Sequence, residues 1–546
     1  DHRDLHSFPT RRSSDLGNRC IIAPMNIPQS PPETRTANRQ IARAAGTVMM
    51  AFVISNIVGL VRTILVGRAF GTSADLDAFN AANRVAELLF NLVAGGALGS
   101  AFIPTFTGFL TKDDHEGAWK LASSVANILL LILIAVSILG VIFAPQIVRN
   151  GLYILAPDQS PVQEDLTIHL LRVLMPSVVI FGISGLVMGI LNAKQIFLVP
   201  AIAPATYSLG IIFGATVLAP RMGIDGMAWG AVLGAGFHLL VQIPTLLLQK
   251  GKYFFSLGFH LPAVREVARL MAPRLFGVAI VQLNFIANTV IALSLPVGSV
   301  SSITYAFTLM MMPQAAIAQS LAIAAMPTFS AQYARGKLDE MRGSLAASLR
   351  GVLLLSVPAS IGLMLLRKPI IALLYQRGEF TAQSTNLVAW ALLWYAAGLV
   401  SHSVVEIVSR AFYALHDTRT PVMVGVVVMS LNVGLSLVFS SLFGRLGLPP
   451  HGGLALANTT ATTLEMTALL FLMRRRLQGL HGREILDGFG KALAAAAAMT
   501  AALAFWNIRT SLAPSWMATL GGIAIGVSAY AGLLFILRVK EAGQLW

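Results

Sequence analysis

Apolar runs long enough to cross a bilayer constrain this chain more than any other feature. Val125 to Phe143, Ile202 to Leu218 and Met517 to Leu537 each approach the roughly 20 residues a helix needs to cross about 30 Å of hydrocarbon. No soluble core requires so many. The runs are apolar all round instead of alternating with period two, which excludes the strands of a membrane barrel. In hydrocarbon the backbone must then satisfy its own polar groups within helices. With 56% hydrophobic and 12% charged residues, the expected fold is an all-α polytopic membrane protein.

Apolar stretches bounded by charged or Gly/Pro connections predict about fourteen spans. They begin near residues 44, 78, 121, 167, 197, 225, 267, 302, 345, 385, 421, 452, 490 and 515. An even number puts both termini on one side. The basic residues after the sixth span (Lys250, Lys252, Arg265) and the twelfth (Arg474 to Arg476) make that side cytoplasmic; Arg367, Lys368 and Arg377 run against the rule. The net charge of +15 therefore belongs to loops, and no nucleic-acid partner is expected because no aromatic-interleaved basic domain is present. A single cysteine, Cys20, excludes disulfides and a cysteine metal site. Residues 1–37 read as a disordered leader without a signal peptide. The stretch before Met25 resembles translated adapter sequence and is expected to be non-native; mass spectrometry finding it in the endogenous protein would refute this.

An internal repeat organises the remainder. Ile103-Pro104-Thr105-Phe106 answers Met326-Pro327-Thr328-Phe329 at an offset of 223, Pro200 answers Pro421 at 221, and Tyr153 answers Tyr375 at 222. Spans one to six (38–250) are thus expected to be duplicated as spans seven to twelve (251–476), two six-helix lobes related by a pseudo-twofold axis along the membrane normal. Spans thirteen and fourteen (477–546) lie outside the repeat, and their alanine tract, Ala492 to Ala498, permits close helix approach.

Ionisable groups within spans cost about 2.5 to 3.5 kcal/mol on insertion scales, so their positions are informative. Ser55, Gly59 and Arg62 share a face of span one; Asn80, Asn83, Arg84, Glu87 and Asn91 stripe span two. Span seven carries Arg274, Gln282, Asn284 and Asn288, and span eight Thr304, Thr308, Gln314 and Gln319. Polar faces therefore recur at equivalent places in both halves, and a hydrated cavity between the lobes is expected. Each group has a plainer reading: Arg62 and Arg274 can snorkel, Arg84 and Glu87 can neutralise each other at i, i+3, and the asparagines can be interhelical glue. His402, Glu406 and Arg410, at i, i+4, i+8, suit a packed ladder better than a proton relay. Enzyme signatures are weak: there is no HExxH, and Asp113-Asp114 lacks further carboxylates at metal-binding spacing.

Gly59-Leu60-Val61-Arg62, Phe70-Gly71, Asp77-Ala78-Phe79 and Ala101-Phe102-Ile103-Pro104 resemble the MurJ/MviN family. Leu275-Phe276-Gly277-Val278, Gly298-Ser299-Val300, Tyr375-Gln376-Arg377-Gly378-Glu379-Phe380, Ala411-Phe412-Tyr413 and Asp417-Thr418-Arg419-Thr420-Pro421 continue that resemblance, which covers about residues 38 to 475. It implies a lipid II flippase of the multidrug/oligosaccharidyl-lipid/polysaccharide exporter superfamily in the bacterial cytoplasmic membrane. It further implies cavity cations for the diphosphate and a groove at the last two helices for the polyprenyl tail. By motif, Arg62 is the matching cavity arginine, Asp77 the matching acid and Ser299 the matching small polar residue. Phe90, Gly95 and Thr308 stand where many members carry arginine, glutamate and arginine, and Arg84 and Arg274 are expected to replace the lost charge.

The expected substrate-binding set is Arg62, Asp77, Arg84, Glu87, Arg274, Asn284, Asn288 and Ser299. The expected activity is alternating-access flipping of lipid II by a monomer with lipid partners, not catalysis. No cofactor or metal is expected beyond a coupling cation of unassigned identity, and no nucleotide-binding motif is present. The alternatives are export of another polyprenyl-linked oligosaccharide or of a drug on the same architecture. From other classes, a membrane transferase would need clustered aspartates for Mg²⁺, and a scaffold would need no polar cavity.

Overall fold

The computed structural model describes residues 32–93, 99–156, 161–510 and 513–537; within these, the side chains of 32–46, 48, 93, 99–100, 273–274 and 276 are not described. The chain divides into Asp1–Met50 and Ala51–Trp546. Of the first unit only the helix from Pro32 is described, so most of the expected leader lies outside the described residues. Residues 32–37, expected within that leader, are helical.

All described regular elements are helices. They are α1 (Pro32–Phe70), α2 (Ala74–Val93), α3 (Gly99–Leu110) and α4 (His115–Ile142). Next come α5 (Pro161–Ala193), α6 (Leu198–Met222), α7 (Ile224–Leu247), α8 (Pro262–Leu293), α9 (Ser299–Ala334) and α10 (Leu338–Tyr375). Then follow α11 (Ala382–Ala397), α12 (Leu399–Ala414), α13 (Arg419–Arg445), α14 (His451–Arg476), α15 (Gly482–Arg509) and α16 (Ser515–Ile536).

Among the described residues ten helices are long and apolar enough to cross a membrane, and the bent pairs within α8 (43°) and at α11–α12 (44°), each taken as one span, bring the number to twelve. Pro273 and Gly398 stand at the two bends, where a missing N–H or side chain makes bending cheap. Two of the expected spans fail on apolarity. In the second, α2 carries Asp75, Asp77, Arg84 and Glu87, and the twelfth, α14, is rich in Thr with a Glu. Both explain themselves by burial: Leu76 to Phe79, Ala81 and Ala82 of α2, and His451 to Ala455 of α14, are enclosed by protein. Their polar groups find partners there, as when Thr459 donates to the Trp394 carbonyl at 2.7 Å.

Packing follows the small residues. A Cβ on Gly210 would stand 2.2 Å from the Gly234 Cα, and one on Gly230 would stand 2.5 Å from the Gly214 Cα. Glycine is thus required for α6 and α7 to touch backbone to backbone, the arrangement that holds membrane helices without a hydrophobic driving force between them. α5 gathers α2, α3, α4 and α7, while α10 gathers α9, α11, α12, α15 and α16. α8 packs against α2 and α3 on one side and α13 on the other. The repeat landmarks are alike in burial: Pro104 and Pro327 lie inside helices, Phe106 and Phe329 are fully buried, and so are Tyr153 and Tyr375. The alanine tract buries Ala492, Ala495 and Ala496 in one cluster with Leu354 and Leu366 of α10.

Candidate functional site

The corner between α1 and α2 is latched to two other corners. Asp77, in the first turn of α2, is buried. Its Oδ2 accepts the Gly298 N–H at 2.7 Å, and its Oδ1 accepts the Ser301 N–H at 2.7 Å and the Ser301 hydroxyl. Those N–H groups are the unsatisfied donors that open α9, where the helix dipole favours negative charge. Asp77 therefore caps a helix more than 200 residues away, with charge-assisted bonds. Gly298 holds φ +88°, a left-handed turn that glycine adopts without strain. Nearby, the Thr72 and Ser384 hydroxyls meet at 2.9 Å, and the Glu379 N–H donates to the Arg68 carbonyl at 3.0 Å. Gly67 lies flat on the Tyr305, Tyr375 and Phe380 rings: a Cβ there would come within 3.2 Å of Tyr375. Ser299 is buried and donates to the Pro296 carbonyl within the same turn.

On the polar stripe of α2, Arg84 pairs with Glu87 at 2.9 Å, Asn83 donates to the same carboxylate at 2.9 Å, and the Arg84 guanidinium lies 5.2 Å from the Phe285 ring centroid. Both side chains remain partly exposed, at 27% and 42%. The stripe is thus open but internally neutralised. Phe285 continues through Phe307 to Tyr395 and His402. His402 bonds Asn458 at 3.0 Å while Arg410 bonds Glu406 at 3.0 Å, so this run packs as separate pairs.

Asn284 and Asn288 of α8 face α13. Asn284 donates to the Met429 carbonyl at 2.8 Å, Asn288 to Asn432 at 2.9 Å, and Ser436 donates back to Asn288 at 3.0 Å. That is interhelical glue. The Arg274 side chain lies outside the described residues. Arg62 is half-buried, has no hydrogen-bond or ion-pair partner among the described residues, and sits within electrostatic reach of the Tyr207 and Tyr375 hydroxyls.

A separate apolar groove of about 1450 Å³ runs along α9, α10, α15 and α16, lined by Met312, Pro358, Gly362, Met499, Ile523 and Tyr530 among others. Among the described residues no three His, Cys, Asp or Glu side chains gather as metal ligands. No signal in the residue pattern points to the partners of Asp77 or to the Thr72–Ser384 contact; the Tyr375 to Phe380 motif marked the ring cluster without disclosing its contact with Gly67.

Residues 66–520 match the family described as lipid II flippase MurJ. The chain belongs to the MurJ family. Among relatives, the lipid II flippase MurJ of Burkholderia cenocepacia is 31% identical over 443 residues, 80% of this chain and 84% of that protein. The probable lipid II flippase MurJ of Vibrio cholerae is 29% identical over 523 residues, 92% and 98% of the two chains. A solved lipid II flippase MurJ in an inward closed conformation superimposes with a TM-score of 0.76 at 25% identity, covering 90% of this chain and 98% of that one. An inward-facing multidrug resistance MATE transporter of the MOP superfamily gives 0.67 at 16% identity, covering 80% and 98%. That likeness places the MurJ family architecture within the wider transporter fold.

Proposed function

We propose that this chain moves lipid II from the inner to the outer leaflet of the bacterial cytoplasmic membrane by alternating access. The observation that carries the proposal is Arg62: a guanidinium half-buried among helices, without a partner among the described residues, beside a seam held shut. A diphosphate leaving water needs charged partners, and Arg62 is available to it. Arg84 serves next, once the head group competes with Glu87; Arg274 is the third cation. Asp77 works as the latch rather than as a ligand, Ser299 shapes its turn, and Asn284 and Asn288 hold α8 to α13. The groove takes the polyprenyl tail. The lobes are 38–250 and 251–476 with the last pair appended, the chain acts as a monomer, and its termini are cytoplasmic, so the Asp77 seam faces outward.

In this state the outer seam is closed. Head-group binding must favour the outward-open state by more than the latch favours the closed one; about 5.5 kcal/mol of differential affinity carries an equilibrium from 1:99 to 99:1. A drug exporter fits less well, because the nearby acids, Asp77 and Glu87, are both committed to partners. The test is replacement of the essential flippase in a depleted strain, with lipid II measured at the outer leaflet. Growth and exposed lipid II are expected; a membrane-inserted protein giving neither would refute the proposal.

A further inference from the structure

Exposed apolar side chains within spans face lipid and need no comment. The connection between α7 and α8 is different, because it lies outside any span and still exposes a run of them. Leu247, the last residue of α7, and Leu248 are 71% and 77% exposed, and Tyr253, Phe255 and Phe259 follow in the connection itself at 65%, 93% and 61%. This is not a loose loop whose rings happen to point outward. The Phe254 N–H donates to the Ser123 hydroxyl at 3.1 Å, and Asn127 donates to the Phe254 and Ser256 carbonyls at 3.1 and 2.9 Å. The Tyr253 hydroxyl donates to Asn127. Ser123 and Asn127 are themselves buried in α4. Gly251 lies on Trp119 and Gly258 on Ser124, so closely that a Cβ at either would come within 2.4 Å of them. The backbone is strapped to the first turns of α4, which tucks Phe254 and Gly258 against that helix and leaves Tyr253, Phe255 and Phe259 exposed.

Cations surround those rings. Lys250, Lys252, His260 and Arg265 are exposed, and Lys120 lies 5.6 Å from the Phe254 ring. Of the acids near them, Glu116 is tied to Lys120 at 2.7 Å and Glu266 is exposed. Aromatic rings interleaved with lysine at the ends of membrane helices match the boundary between acyl chains and head groups, and the charge matches an anionic leaflet. We propose that residues 247–260 form an interfacial anchor that seats Phe255 and Phe259 below the phosphates of an anionic leaflet. The anchor stands independently of the flippase reading. Because it is the covalent link between α7 and α8, it holds that link at a fixed depth beside α4.

The test uses the full chain in vesicles, with Cys20→Ser and a nitroxide on Phe255→Cys. Collision with oxygen is compared with collision with a water-soluble nickel chelate, in phosphatidylglycerol and in phosphatidylcholine bilayers. Val427→Cys, exposed on α13, gives the lipid reference, and Asp339→Cys, 89% exposed in its side chain, the water reference. In phosphatidylglycerol the Phe255 label should favour oxygen as Val427 does; in phosphatidylcholine it should shift toward the Asp339 value. Lys250→Gln with Lys252→Gln should abolish that difference. A label that favours nickel in both bilayers, that is shielded from both reagents by a protein partner or second copy, or that sits equally deep in both lipids would overturn the proposal.

Discussion

The Asp77 seam and the groove along α15 and α16 are both places where elements meet, and they are built from opposite materials. The seam joins three corners by directional bonds, a carboxylate on two helix-opening N–H groups, a hydroxyl pair and a backbone link. The groove is lined by Leu, Met, Ile, Pro and Gly, which specify no direction. Directional contacts are made or broken as a unit, which suits a gate with two positions. Apolar walls accept a chain in many registers, which suits a long prenyl tail that must slide. Arg62 belongs to neither set: among the described residues it has no partner, which the seam has in abundance.

The largest effect should come from breaking the seam. Asp77→Ala strips the Gly298 and Ser301 N–H groups of a charged acceptor, at about 1.5 to 3 kcal/mol for each bond. A Thr72→Cys/Ser384→Cys pair in a Cys20→Ser background reads it out. The disulfide should form readily with Asp77 present and roughly a hundredfold less without it, with flipping lost. Arg62→Ala should be nearly as severe for flipping, by roughly 10- to 100-fold for one charge-assisted contact, yet should leave that cross-link intact; Arg62→Lys should recover part of the activity.

Next comes the groove. Ile523→Trp fills it and displaces three or four methylenes of the tail, costing about 2 to 3 kcal/mol, again with the seam unaffected. Asn288→Ala should lower thermal stability by about 0.6 to 1.7 kcal/mol, the range measured for hydrogen bonds between membrane helices. Smallest is Asp417, in the connection before α13. Its carboxyl is held below the usual range by the Thr420 N–H at 3.1 Å and the Thr420 hydroxyl at 2.8 Å. A lowered pKa contributes stability above the unfolded value that disappears as pH falls through the folded one. Thr420→Ala should therefore reduce the acid sensitivity of the melting temperature.

Hydropathy is a local property, and what it can report was legible. Helices stand where the apolar runs predicted them, and the repeat offsets placed Tyr153 and Tyr375 at matching buried positions. Even the two expected spans that are too polar, α2 with α3 and α14, were located by their boundaries. Pairing between distant helices is not local. Nothing in the run from Ala74 to Asn91 says that Asp77 will meet the start of α9, because that depends on how two loops are brought together. Asn284 and Asn288 looked the same whether they faced a cavity or α13, since helical spacing assigns a face but not its neighbour. The strap at 247–260 escaped notice because its bonds to Ser123 and Asn127 join residues more than 120 positions apart.

The most direct measurement is lipid II exposed at the outer leaflet in flippase-depleted cells carrying this chain or its Arg62→Ala variant, with the Thr72–Ser384 cross-link recorded in both. The account predicts exposure from the parent chain, little from the variant, and the same cross-link in each. Equal exposure from both would show that the unpaired guanidinium does not hold the head group.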